Sequence, residues 1–161
     1  MNTRIHPTAI IYPNVKLGLN VYIGANCIIG APAEDKNNWG KEGQGVIIGD
    51  NVIINGNVTI DAGTLQPTQI ENSSFIMKGV HIGHDAIIRQ GATLSPHVLI
   101  GGHSIVGANT NMGMGAIVHQ RCEVPHGCMI GMGTIVTKSS ELEPNNCYIG
   151  SPARYLRSNI R

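Results

Sequence analysis

His84 and Asp85 are adjacent, and they supply the parts of an acid–base pair. An imidazole with a pKa near about 6.5 is a natural general base for a hydroxyl or amine at neutral pH, and a neighbouring carboxylate fixes its tautomer and raises its basicity. Eighteen residues further on stand Gly102 and His103, and eighteen beyond those stand Gln120 and Arg121; the positions just before are Gly83, Gly101 and His119. A glycine such as Gly102 offers a backbone N–H with no side chain in the way, as a developing oxyanion requires, and one such donor contributes about 3 kcal/mol to a transition state. No Ser or Cys stands in an obvious nucleophile motif, so direct attack by an acceptor is favoured over an acyl-enzyme. These groups meet only if the chain returns to the same place every eighteen residues.

The hydrophobic pattern says that it does. An aliphatic residue, once a Met, returns at every sixth place from Ile70 through Ile76, Ile82, Ile88 and Leu94 to Leu142, and a small or β-branched residue follows four places later, from Ser74, Val80, Ala86 and Ala92 to Ser140. The N-terminal part keeps the rule at Ile5, Ile11, Leu17, Ile23 and Ile29, and it resumes at Ile48, Ile54 and Ile60. A helix would need spacings of three and four, and a two-faced strand a sustained spacing of two. A six-residue unit of one short strand and a turn fits, and three such units make a triangular coil of eighteen residues. Residues one coil apart then stack about 4.8 Å from each other. His84, Gly102 and Gln120 form one column, Asp85, His103 and Arg121 the next, and Gly83, Gly101 and His119 a third. All lie at the second to fourth place of their hexads, outside the core, so exposed turns are expected there.

Two stretches break the count. Residues 31–47, APAEDKNNWGKEGQGVI, are too long and polar for the hexad and are expected to leave the prism as a loop, with residues 63–69, GTLQPTQ, as a smaller excursion. Long loops in a regular scaffold are more often functional than idle. The remainder, residues 1–161, reads as one β-helix domain with a tail from about residue 150. The 21 glycines, 4% aromatic and 13% charged residues suit a β architecture punctuated by glycine. A net charge of +1, with no long block of one sign, argues against a nucleic-acid partner or a basic membrane patch. No apolar stretch approaches the roughly 18 residues of a membrane span, and the start, MNTRIHPTAII, lacks a secretory h-region, so a cytoplasmic location is expected. Cys27, Cys122, Cys128 and Cys147 show no CxxC pairing and at least three fall on inward positions, which predicts reduced, buried thiols.

The strings IGHDAI, VGANTN, MGMGAI and IGMGTI resemble the hexapeptide repeat of left-handed parallel β-helix acyltransferases over nearly the whole chain. The fold this implies is all-β, a left-handed parallel β-helix with one protruding loop; the handedness comes from the resemblance, since the general rule for parallel crossovers gives the opposite hand. VHIGHDAII, then GGH at Gly101 to His103 and VHQRC at Val118 to Cys122, resemble the UDP-N-acetylglucosamine O-acyltransferases of lipid A biosynthesis, hexad for hexad. The resemblance implies His84 as catalytic base, Asp85 as its orienting acid and Gly102 as oxyanion donor. His81, His103, His119 and Gln120 then line the acceptor and acyl sites. IHPTAI and the loop opening IGAPAED are also similar, which places Asp35 against the nucleotide sugar and Lys36, or Lys41, near phosphate. The family further implies a homotrimer with sites between neighbouring prisms, no tightly bound cofactor and no metal, and an acyl thioester on acyl carrier protein or coenzyme A as co-substrate. Trp39, in the same loop, would stack on a base or seal a subunit seam.

This chain departs from the family in looking about two coils shorter near its N-terminus and in lacking the C-terminal helical domain. It closes with YIGSPARYLR, which resembles acetyl-CoA-dependent hexapeptide transferases, including amino-sugar N-acetyltransferases; Arg154 and Arg157 would then meet coenzyme A phosphates. Two other readings compete. A γ-class carbonic anhydrase shares the fold but needs a His five places after His84, where Arg89 stands. A non-catalytic β-helix scaffold would have no use for His84, Asp85, Gly102, His119 and Gln120 together.

Overall fold

The computed structural model describes residues 2–160. Among these the chain is all-β, a left-handed parallel β-helix in which strands of two to five residues alternate with tight turns. Three parallel sheets form the faces of the prism, with eight, seven and six strands stacked in coil order, and a ninth, antiparallel strand closes the first. No helix among the described residues is long and apolar enough to cross a membrane.

The pairing register confirms the eighteen-residue coil. His81 pairs with Leu99 and Leu99 with Ile117 on one face; Ile87 pairs with Ile105 and Ile105 with Glu123 on the next. Side chains of one strand point alternately in and out, so the second residue of each pair, Ile82, Ile88, Ile100, Val106 and Val118, is buried with its small partners Ala86, Ala92 and Ala116. Some inward Ser and Thr hydroxyls donate to carbonyls, as Ser104 does to His119 O at 2.9 Å and Thr110 to Pro125 O at 2.8 Å, whereas the buried Thr134 hydroxyl has no partner among the described residues. The ends of the prism are less well covered. Ile5, in the first coil, is 44% exposed because nothing stacks beneath it, and Ser140 and Leu142 in the last are half-buried. All four cysteines are buried and free.

Both breaks in the repeat are narrower than expected. Val15 pairs with Val46, thirty-one places on instead of eighteen, and the strand Val46–Ile48 is already back in the prism. The large loop therefore ends at residue 45. Val46 in turn pairs with Thr68, twenty-two places on, so the second insertion adds only four residues and the strand Thr68–Ile70 follows it directly. From there to the C-terminal hairpin the count of eighteen is unbroken. The hairpin folds Arg154–Ser158 back along Asn146–Ile149, and it seats the buried Tyr148, whose hydroxyl donates to Glu143 O at 3.0 Å.

The third residue of a turn adopts left-handed backbone in most coils, and Asn or Gly occupies it in Asn20, Asn51, Asn57, Gly79, Gly91, Asn109, Gly115 and Gly127. Those types suffer least there. On the corner after the His81 face the residues are instead Asp85, His103 and Arg121, with φ of 60°, 58° and 59°. Ser73 and His97, with φ of 60° and 62°, hold the same conformation on the other two corners, so the left-handed backbone belongs to the turn and not to this corner alone. The core makes a testable demand. Ile100→Ala, buried between two coils, is expected to cost about 2–5 kcal/mol in urea unfolding, whereas Leu19→Ala, on an exposed turn, changes stability by less than about 0.5 kcal/mol.

Candidate active site

The four-residue insertion lies one coil below His84 and Asp85. It turns tightly at Gly63, where a Cβ would stand 1.6 Å from Gln66 O, and it folds its backbone over the Asp85 carboxylate. Asp85 Oδ2 accepts from Thr64 N at 2.9 Å and Thr64 Oγ1 at 2.8 Å; Oδ1 accepts from Leu65 N at 2.7 Å and Gln66 N at 2.9 Å. The Asp85 amide donates to Thr68 Oγ1 at 2.9 Å. Asp85 is therefore 1% exposed, not on a solvated turn as its hexad position implied, because the insertion covers it. Burial by itself raises a carboxyl pKa, but here the His84 hydrogen bond and the amides of Thr64, Gln66 and Leu65 outweigh it and hold Asp85 well below the usual carboxylate range.

An ionised carboxylate only accepts, so the 2.7 Å contact between His84 Nδ1 and Asp85 Oδ2 places the proton on Nδ1. The lone pair of Nε2 is then free and faces the next coil. A Cβ at Gly102 would lie 2.8 Å from that Nε2, so glycine is required there by the ring itself. Among the described residues nothing accepts from the Gly102 amide, whereas the Gly101 amide is spent on Val118 O at 2.8 Å. A base and an unoccupied N–H donor thus stand one coil apart.

His103 packs edge-on against His84, with centroids 4.9 Å apart at 88°, and its Nε2 lies 3.8 Å from Asp85 Oδ2. Burial lowers the His103 pKa, and Arg121 and His84 push the same way against the opposing pull of Asp85 and Asp35. His119 Nδ1 donates to Gln120 O at 3.1 Å, which turns Nε2 outward. His81 Nδ1 meets Thr59 Oγ1 at 2.8 Å. His81, His84, Gly102, His119 and Gln120 line one open cleft of about 370 Å³, together with Leu99 and Ile117.

The structure therefore gathers His81, His84, Asp85, Gly102, His103, His119 and Gln120 in one place. Asp35, Lys36, Arg154 and Arg157 do not line that cleft, although Asp35 stands near enough to His84 and His103 for their charges to be felt. The Asp35 carboxylate accepts from Asn37 N at 3.0 Å and from Asn38 Nδ2, contacts that lower its pKa in that order and hold the loop in shape. Lys41 Nζ donates to Asn38 Oδ1 at 3.4 Å, and Lys36 is exposed. Arg154 donates to Ser139 O at 3.2 Å, on the far coils. The loop residue that does reach the cleft is Glu34, and beside it stands Asp61. Neither was singled out by sequence, nor were Thr64, Gln66 and Thr68. The signal for the last three was present: an insertion of four residues one coil below a His-Asp pair must fold somewhere against it.

Side-chain donor atoms of His84, Asp85 and His103 lie within 4.8 Å of one another. This set does not fit a metal ion, because both Asp85 oxygens are already filled by the turn and by His84.

With coil, corner and cleft in place, the comparisons with known proteins fall in line. Residues 14–62 match the family described as hexapeptide repeat of succinyl-transferase, and residues 67–102 match bacterial transferase hexapeptide (six repeats). The chain is a hexapeptide-repeat protein of the left-handed β-helix class, a fold it shares with acyltransferases. Within that class it resembles the UDP-N-acetylglucosamine O-acyltransferases. The crystal structure of the UDP-N-acetylglucosamine acyltransferase from Bacteroides fragilis superposes with a TM-score of 0.92 at 31% identity, over 98% of this chain and 62% of that one. The acyl-[acyl-carrier-protein]–UDP-N-acetylglucosamine O-acyltransferase of Pseudomonas putida is 32% identical over 118 residues, 71% of this chain and 45% of the relative. The UDP-3-O-acylglucosamine N-acyltransferase of Hahella chejuensis is 28% identical over 95% of this chain and 49% of its own length. The chain spans about half the length of these curated relatives.

The Asp85 network sets a pH dependence. A carboxyl whose folded pKa lies below its ordinary 3.8 contributes stability that is complete above pH 4 and is lost as pH falls through the folded value. Wild-type thermal melts should therefore drop steeply between about pH 4 and pH 2. Asp85→Asn should start about 2 kcal/mol less stable at pH 7 and show a shallower acid limb.

Proposed function

We propose that this chain transfers an acyl group from a thioester, carried on acyl carrier protein or coenzyme A, to a hydroxyl or amino group of a nucleotide-linked sugar. The observation that carries the reading is the His84 Nε2 lone pair, oriented by a buried ionised Asp85 and facing the free amide of Gly102 one coil away. His84 takes the proton of the acceptor as its oxygen or nitrogen attacks the thioester carbon. The Gly102 N–H receives the negative charge that forms on the carbonyl oxygen. When the tetrahedral intermediate collapses, the C–S bond breaks and His84 returns the proton to the leaving thiolate. Asp85 stays ionised throughout and steadies the imidazolium.

His81, His103, His119 and Gln120 hold the sugar and the acyl group in this reading, with Asp35 and Lys36 or Lys41 toward the nucleotide and Arg154 and Arg157 toward the donor's phosphates. Support comes from the relatives, which include an acyl-[acyl-carrier-protein]–UDP-N-acetylglucosamine O-acyltransferase and a UDP-3-O-acylglucosamine N-acyltransferase. A homotrimer belongs to the same reading, and the exposed Leu99 beside the cleft is a surface that a neighbouring prism would cover. A cytoplasmic location belongs to the same reading, as the compartment in which such thioesters are carried.

Mass spectrometry of products from acetyl-CoA, longer acyl-CoA and acyl-carrier-protein donors, each with UDP- and dTDP-sugars, tests the reading. His84→Ala should lower turnover by about 10²–10⁴-fold with little change in the thermal melt. Gly102→Ala, whose methyl would press on the His84 ring, should cost at least about 10²-fold. Transfer that persists in His84→Ala would sink the assignment.

A further inference from the structure

A further column runs along the face that carries His81 and His119. Ile60, Ile82, Ile100 and Val118 pair in register, so the residues that follow them, Asp61, Gly83, Gly101 and His119, stack in a line. The two glycines leave a trough floored by backbone, about 14 Å from one end to the other at the usual strand spacing. His119 stands at one end and Asp61 at the other, with the His84 column alongside.

The acid end is unusual in three respects. The Asp61 side chain is only 8% exposed, yet it lines the trough and also an adjoining cleft of about 370 Å³ walled by Tyr12, Pro32, Trp39 and Thr59. Among the described residues no side chain donates a hydrogen bond to its carboxylate and the one backbone donor is the Glu34 amide, in contrast to the five hydrogen bonds that end on Asp85. Its nearest cationic group is His81 Nε2, at 3.9 Å. Glu34 borders the same end, and no Lys or Arg lines either cleft. Burial raises the Asp61 pKa against the weaker pull of His81 and the Glu34 amide. A buried carboxylate is costly unless something pairs with it, and this protein supplies no full partner.

We infer that Asp61, with Glu34 beside it, is a specificity-determining residue that binds a protonated amine on the acceptor sugar. The inference rests on the acyltransferase reading above and narrows its acceptor to a nucleotide-linked amino sugar. An ammonium group has the charge that Asp61 lacks, and the 3.9 Å gap between Asp61 Oδ2 and His81 Nε2 is narrow enough for both atoms to accept from one nitrogen. An acetamido group in the same place offers a single neutral N–H and a carbonyl oxygen that the two carboxylates repel. A hard divalent cation is a poorer occupant, since it takes about six oxygens and the acid end supplies two carboxylates.

The test is calorimetric titration of the full chain with UDP-sugars carrying a free amine at carbon 2, 3 or 4, beside their acetamido and hydroxyl counterparts, in wild type and Asp61→Asn. Wild type should bind one amino sugar at least about tenfold tighter than its counterparts, and Asp61→Asn should reduce that advantage to less than about twofold. The thermal melt of Asp61→Asn at pH 7 should equal or exceed wild type, because the variant removes an unpaired buried charge. Equal affinities in wild type, or an advantage that survives the substitution, would overturn the inference and leave the acyltransferase reading standing. Binding of no nucleotide sugar at all would overturn both.

Discussion

Everything in this molecule depends on the backbone ladder that joins each coil to the next. With strands of two residues, no strand has much to hold it apart from the parallel hydrogen bonds above and below and the inward pair of side chains. His81 N, for example, donates to Val98 O at 3.0 Å and Gly83 N to Ile100 O at 2.8 Å. Such a ladder allows no slippage, because a shift of one residue would turn every inward isoleucine outward. Side chains eighteen apart are consequently held in columns as rigidly as the backbone itself, and a catalytic group needs no loop to aim it.

That rigidity explains how a carboxylate can be buried beside the reacting base. Desolvation alone would neutralise Asp85. Three amides and a hydroxyl from the Thr64–Gln66 turn keep it charged, and they can do so only because the coil beneath is fixed in height and phase. The charge in turn selects the His84 tautomer.

Asp85 and Asp61 form an instructive contrast. Both are buried carboxylates on the same face, one coil apart, but the first is fully satisfied by the protein and the second is not. A satisfied carboxylate orients a neighbour; an unsatisfied one is suited to a ligand. This face thus carries the His84–Asp85 pair at its middle and Asp61 toward the loop, with Trp39 and Tyr12 beyond it.

The sequence alone determined the prism, its period and the composition of the catalytic corner. The six-residue repeat admits one way of burying Ile82, Ile88 and Ile100, and counting by eighteen then places Gly102 against His84 and His103 against Asp85. These are local consequences of strand periodicity, so no tertiary information was needed. What the sequence left open lies at the two insertions, where periodicity stops. Residues 31–47 were expected to present Asp35 and Lys36, but Asp35 is drawn into hydrogen bonds within the loop and Glu34 reaches the cleft instead. Residues 63–69 read as a minor excursion, yet their turn converts Asp85 from an exposed corner residue into a buried one. Asp61 escaped notice because the four inserted residues break the count just after it, and only the pairing of Thr59 with His81 shows that it begins the column of Gly83, Gly101 and His119. Regular repeats turn sequence distance into spatial distance, whereas a loop's path depends on which hydrogen bonds its backbone closes, and that is decided only in the folded chain.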